Sequence, residues 1–255
     1  MPIFAGMNSI GEKAPLCGGD GGTAILFVHG ILGNREFFDF LQPYVPPGWT
    51  RRCLLLEGHG GSARDFGRAS MARWKAQVRE AVAELRQSHG RVVVAAHSMG
   101  TLFAIGEAVR GGVDAVFLLA PPLSLRLSAR LFVTPLKVAT GRIRPDDVWA
   151  QAALRAYGIT GGGNPLHYLG WAARYAELFA EIRRVRRLCP QFRAPAEVIF
   201  SARDEMVSPR GRRYLDGNLQ AAFTLLPASG HYYYSDADRA LIISRFKSFT
   251  TSRPS

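Results

Sequence analysis

Cysteine is scarce in this chain, and lysine scarcer than its charge suggests. The three cysteines, Cys17, Cys53 and Cys189, are widely spaced and odd in number, which excludes a disulfide framework and a zinc-type spacing. Of 32 basic residues only 4 are lysine and 28 are arginine. So strong a bias follows from base composition as readily as from function. No 18 apolar residues run together, so no bilayer-spanning helix is expected. The first residues lack a basic n-region, and Pro2, Gly6 and Asn8 interrupt their apolar stretch, which does not read as a secretory signal. A soluble protein of a reducing, cytoplasmic setting is the expectation.

What is present belongs to an ordinary globular protein: 47% hydrophobic and 20% charged residues in a chain of 255. Such a chain makes one large domain or two small ones and hides about three quarters of its unfolded surface. After a Gly-rich lead-in, Gly18 to Gly22, short β-branched runs alternate with helical patterns. Thr23 to Val28, Arg52 to Leu56, Arg91 to Ala96, Asp114 to Ala120, Glu197 to Ser201 and Phe223 to Leu226 read as strands. Several are continuous apolar runs, as expected of strands covered on both faces. Between them, Trp74, Val78, Ala81, Val82 and Leu85 fall on one helical face, with Gly90 placed to stop the helix. Thr101 to Arg110 reads as a second helix and Asp236 to Phe249 as the last. A short helix is expected over Arg35 to Leu41, capped by Gly33-Asn34. The alternation predicts an α/β fold, a mostly parallel sheet with helices on both faces.

Residues 122 to 193 break the rhythm. They carry no strand signal and hold two thirds of the net charge of +12. Gly161-Gly162-Gly163-Asn164-Pro165 interrupts them, and Trp171, Tyr175, Leu178, Ile182 and Val185 mark one face of an amphipathic helix. This predicts a helical insertion dividing the core into residues 1–121 and 194–255. The run Arg183-Arg184-Val185-Arg186-Arg187 within it invites weak association with an anionic surface. No nucleic-acid motif accompanies it, and arginine clusters on amphipathic helices are most often solvated faces.

Ala96-His97-Ser98-Met99-Gly100 lies directly between a buried strand and a helix, the context required of a nucleophile elbow. The turn is so tight that the positions two before and two after the serine must be small; Ala96 stands in the first. A serine hydroxyl needs a base, and the base needs an orienting group. In this order of elements the acid and the histidine should follow the late strands. Asp204, with Glu205 beside it, follows Glu197 to Ser201, and His231 follows Phe223 to Leu226. Either carboxylate can orient an imidazole; Asp204 is favoured as the commoner residue type. His29 and His59 precede the serine, His97 points away from the elbow, and His167 lies in the insertion. His29 reads as a packed structural histidine. Attack on a carbonyl also needs preorganised donors for the developing oxyanion. The N–H of Met99 at a helix head and that of Ile31, after the turn at Gly30, are the candidates.

The stretches VHGILGN (28–34), LLEGHGGSA (55–63), VAAHSMGTL (94–102), SARDEMVSP (201–209) and PASGHYYY (227–234) together resemble the α/β-hydrolase superfamily. Within it they are most similar to the carboxylesterase and monoacylglycerol-lipase-like branch. The resemblance covers nearly the whole core but not the insertion. It implies Ser98, Asp204 and His231 as a catalytic triad, Ile31 and Met99 as oxyanion donors, and EGHGGSA as a structural loop beside the site. It places a helical cap at the insertion and implies no metal or organic cofactor. Ala96 for the usual glycine and Thr101 for a frequent second glycine are departures that touch packing only. Cap aromatics Phe132, Trp149, Tyr157, Tyr168, Trp171, Tyr175 and Phe179 offer surface for an acyl pocket, though most are expected simply to hold the cap together.

The expected activity is hydrolysis of carboxylic esters with small to medium acyl chains through an acyl-enzyme, the partner being a small-molecule ester. A thioesterase or acyltransferase with the same triad is the alternative, and a non-catalytic binding module the third reading.

Overall fold

The computed structural model describes residues 22–126, 144, 146–159 and 165–251. Residues 127–143 with Phe132, the glycines 161–163, Asn164 and the lead-in with Cys17 lie outside them. Six strands form one sheet: β1 (Thr23–Val28), β2 (Thr50–Leu54), β3 (Arg91–His97), β4 (Ala115–Leu119), β5 (Ala196–Ser201) and β6 (Ala221–Leu226). Their order is β2-β1-β3-β4-β5-β6, and all five pairings are parallel.

The period of two divides each inner strand between two cores. Leu26, Val28, Val94, Ala96, Val116, Leu118 and Val198 join one cluster. Their neighbours Ile25, Phe27, Val93, Ala95, Phe117, Leu119 and Ile199 join the other. This is why the strands read as unbroken apolar runs rather than as alternations. The first cluster is covered by α1 (Ala63–Arg68), α2 (Met71–Ser88), α3 (Met99–Val109) and, past the insertion's α4 (Val148–Ala156), by α5 (Leu169–Leu188). The second is covered by α6 (Asp236–Thr251) through Ile242 and Phe246, and by Phe38, Leu41 and Val45 from the segment after β1.

Several element ends lie one or two residues from the sequence reading, and two departures have a clear cause. Strand β2 lies at Thr50–Leu54 rather than Arg52 to Leu56, because the N–H of Leu56 leaves the ladder and donates to His29 Nε2 at 3.1 Å. The helix expected over Arg35 to Leu41 is instead a 3-10 turn, Arg35–Phe38, followed by a second, Gln42–Tyr44. Asn34 does cap the first, accepting from the Phe37 N–H at 3.0 Å. Pro43, with no N–H to give, prevents a regular helix from running through the second turn.

Between β4 and β5 the described residues form no strand, only α4 and α5 with two short 3-10 turns, Pro165–Tyr168 and Cys189–Gln191. Helix α5 is partly a core element. Leu178, Ile182 and Val185 are buried in the first cluster, with Trp171 and Tyr175 packed against it. Glu181, 3% exposed, takes Arg184 and Lys75, the latter from α2. Burial pushes its carboxyl up, and the two cations outweigh that and hold it low.

Candidate active site

The sheet order reverses direction between β1 and β3, and the crevice at the carboxyl ends of those strands is where open α/β sheets place their ligands. Both strands end there in tight turns. Ser98 stands between β3 and α3 with φ 50° and ψ −121°, a left-handed strain that a non-glycine residue keeps only when its surroundings enforce it. A side chain on Gly100 would collide with the carbonyl oxygens of Val28 and His29, the latter 2.7 Å from the added Cβ. One on Gly30 would stand 2.9 Å from the Ser98 Cβ. The elbow thus interlocks with the end of β1. Gly100→Ala is therefore expected to destabilise the fold by about 3 kcal/mol, read as a lower urea midpoint. Its helical position alone would predict a gain of about 1 kcal/mol, so the sign of the change separates the two effects. Thr101 fits without disturbance, its hydroxyl donating to the Ser98 carbonyl at 2.6 Å.

His231 lies between the two other candidate residues. Its Nε2 is 3.0 Å from Ser98 Oγ and its Nδ1 is 2.8 Å from Asp204 Oδ2. A carboxylate only accepts, so Nδ1 carries the hydrogen and Nε2 is left to accept from the serine hydroxyl. Ser98, Asp204 and His231 are 6%, 1% and 1% exposed. Burial alone would lower the imidazole pKa. The Asp204 charge and hydrogen bond, with Glu205 behind them, overcome burial and raise it above its ordinary 6.5.

The two adjacent acids have different partners. Asp204 Oδ1 accepts the N–H groups of Met206 and Val207 at 2.8 and 2.7 Å, which fixes the face its other oxygen turns to the imidazole. Glu205 Oε2 accepts the backbone N–H of His231 at 3.2 Å. Asp204 therefore meets the ring and Glu205 the main chain.

Three supports escaped the sequence reading. His97, set aside as a base, donates from Nε2 to the His231 carbonyl at 3.1 Å and stacks on Phe37 at 4.1 Å. Burial first, then the charge of His231, push its pKa well below 6.5, so it is a neutral prop. Asp238, in the first turn of α6, accepts from Ser229 Oγ at 2.6 Å and from the Ala228 N–H at 3.0 Å. Ser229 Oγ in turn accepts the Ser235 N–H, so one carboxylate pins both ends of the His231 loop. Glu205, weighed only against Asp204, is the third. Only the acid-rich start of the last helix hinted at any of these, and it did not point to Ser229.

His29 has the packed role expected of it. Its Nδ1–H donates to the Gly30 carbonyl at 2.8 Å while Nε2 takes the Leu56 N–H, and burial lowers its pKa to about 4. Next to it the N–H groups of Ile31 and Met99 have no acceptor among the described residues. Both belong to the turns that flank Ser98, and Leu32 holds φ 60° in the first of them. Gly158, just past α4, donates to the Leu32 carbonyl at 2.7 Å, and Asn34 Nδ2 donates to the Arg155 carbonyl at 3.0 Å. The insertion is thereby stitched to the Ile31 loop.

Of the insertion's aromatics, Trp149 packs on Tyr233 and Tyr157 on Tyr232, against the His231 loop. Tyr168 and Trp171 meet each other, and Trp171 meets Phe66 of α1. In the basic run, Arg184 pairs with Glu181 and Arg186 donates to the Leu123 carbonyl, which leaves Arg183 and Arg187 on the exposed face. Burial raises the thiols of Cys53 and Cys189 to about 11. Among the described residues no three His, Cys, Asp or Glu side chains gather as a metal site requires, and no helix is long and apolar enough to cross a membrane.

No curated protein matches the chain in sequence. Solved structures do match its shape. One, from work on the metagenome-derived lipolytic enzymes LipS and LipT, is 20% identical over 92% of this chain and 96% of that one, with TM-score 0.69. The monoacylglycerol lipase of Paleococcus ferrophilus is 16% identical over 93% and 99%, TM-score 0.62. The enol-lactonase of Burkholderia xenovorans LB400 is 16% identical over 91% and 92%, TM-score 0.62. Identities this low speak to the fold alone. A family profile described as the alpha/beta hydrolase family matches residues 25–242, most of the chain. This protein belongs to the alpha/beta hydrolase family.

Proposed function

We propose that the protein is a serine hydrolase that cleaves carboxylic esters of small to medium acyl chains. The observation that carries the reading is the unbroken relay from Ser98 Oγ through both nitrogens of His231 to Asp204, at 3.0 and 2.8 Å in a buried site. The names borne by the similar structures, lipolytic enzymes, a monoacylglycerol lipase and an enol-lactonase, favour an acyl–oxygen bond as the one broken.

Ser98 Oγ attacks the ester carbonyl as His231 Nε2 takes its proton. Asp204 holds the imidazole in the tautomer that can accept and stabilises the imidazolium that forms. The N–H groups of Ile31 and Met99 receive the oxyanion, a contribution worth about 3 kcal/mol for one donor. The tetrahedral adduct collapses as His231 returns the proton to the leaving alcohol oxygen. Water, deprotonated by the same nitrogen, then attacks the acyl-enzyme and releases the acid. The insertion forms the cap of this site and keeps bulk water from the acyl-enzyme.

Hydrolysis of p-nitrophenyl esters from acetate to palmitate tests the reading. We expect turnover with a maximum at a short or medium chain, and labelling of Ser98 by a fluorophosphonate probe. Protonated His231 cannot accept from Ser98, so kcat/KM should fall as pH drops through a raised imidazole pKa. The acid limb should lie above pH 6.5. A folded protein that neither turns over any ester nor takes the probe overturns the proposal.

A further inference from the structure

A cleft of about 310 Å³ opens beside the proposed active site, and none of Ser98, Asp204, His231, Ile31 or Met99 lines it. Four separate stretches of chain converge there: Phe37 and Phe40 after β1, Arg155 on α4, Tyr232 and Tyr234 after His231, and Arg239 on α6. The volume is at the low end of small-molecule sites, which run from about 300 to 1,000 Å³. We propose that this cleft is a second binding site, for a small aryl carboxylate.

The walls set the shape of the guest. Phe37, Phe40 and Tyr234 pack on one another with centroids 5.9 to 6.3 Å apart, an aromatic wall against which a planar aromatic group can lie. Tyr232, only 7% exposed, closes it from inside.

The polar groups set the charge. Burial keeps the phenols of Tyr232 and Tyr234 protonated, so each can donate. Arg155 and Arg239 are exposed at the cleft and make no ion pair among the described residues. Glu36 is the one acidic group in the lining, which leaves the cleft with an excess of one positive charge and a majority of donors. An aromatic wall can also hold a cationic guest. Here, however, the Arg239 guanidinium already lies over the Phe40 ring at 5.1 Å, and two guanidinium groups oppose a third cation. An aromatic ring bearing a carboxylate satisfies the rings, the donors and the charge together, with the fork geometry of arginine suited to its two oxygens.

Titration of the full chain with 2-naphthoate, followed by calorimetry, tests the site without needing turnover. We expect saturable binding with a Kd of about 1 mM or tighter. R155A/R239A, both surface changes, should weaken it roughly tenfold or more, and Tyr232→Phe a few-fold. R183A/R187A removes the same charge elsewhere and should leave it unchanged, as should Ser98→Ala. The neutral 2-naphthalenemethanol should bind more weakly than the acid to the wild type and equally to R155A/R239A. The proposal is overturned if naphthoate does not saturate, if R155A/R239A binds as well as wild type, if R183A/R187A weakens it as much, or if benzyltrimethylammonium binds better. Ester turnover, measured separately, decides the hydrolase reading whatever the naphthoate result.

Discussion

Replacing Ser98 with alanine is expected to lower kcat on a p-nitrophenyl ester by on the order of 10⁵-fold and to abolish fluorophosphonate labelling. In the proposed mechanism this hydroxyl forms the acyl-enzyme, and neither histidine beside it is placed to take over. His97 is turned to a backbone carbonyl, and His29 has both nitrogens occupied. The fold should hardly notice. Alanine has to adopt the same φ of 50°, the packing of Gly30 and Gly100 around the elbow is untouched, and the loss is one hydrogen bond to His231, about 1 kcal/mol. The proposed nucleophile and base would act as one unit, so adding His231→Ala to Ser98→Ala should cost little more activity than either alone. Single-turnover kinetics beside thermal unfolding checks both halves. A Ser98→Ala protein that keeps roughly one hundredth of the rate or more, too much for trace contamination to explain, would remove the nucleophile from the mechanism.

The central strands were legible because burial on both faces writes them as unbroken apolar runs: Ala24 to Val28 and Val92 to Ala96 are each buried throughout. Boundaries were not legible where a side chain intervenes in the ladder. His29 and Leu56 are 27 residues apart, and nothing local to Leu56 says that its N–H is taken. The same limit applies to the site. Ser98 and His231 could be chosen by element order, since each follows a strand at the carboxyl edge of the sheet. The work of His97 depends on a carbonyl 134 residues away, and that of Asp238 on a serine that is ordinary in sequence. The choice between Asp204 and Glu205 was open for a different reason. Neighbours on a loop point in unlike directions, and only the N–H groups of Met206 and Val207 fix which carboxylate meets the ring.

Asp204→Asn and Glu205→Gln should separate the two acids by about three orders of magnitude in kcat. In the first variant the amide Oδ1 can still accept from Met206 and Val207, so the loop keeps its shape. That leaves the Nδ2 donor facing His231 Nδ1, which must then give up its hydrogen and accept. The hydrogen moves to Nε2, the nitrogen that has to take the serine proton. A cost of about 10⁴ in kcat is expected from a wrong tautomer of this kind. In the second variant the amide oxygen of the new side chain still accepts the His231 N–H at the place Glu205 Oε2 holds now, and only a charge is lost. About tenfold is the expected cost, in keeping with a contact that positions the histidine without touching its ring. The pH profiles carry a second signature. Both carboxylates raise the imidazole pKa, Asp204 more than Glu205, so the acid limb of whatever activity remains should move to lower pH in each variant, and further in Asp204→Asn. A larger loss in Glu205→Gln, with Asp204→Asn near wild type, would transfer the orienting role to the neighbouring residue. Equal losses with unshifted profiles would mean that neither carboxylate acts through the imidazole, and the relay from Ser98 would have to be abandoned as the basis of catalysis.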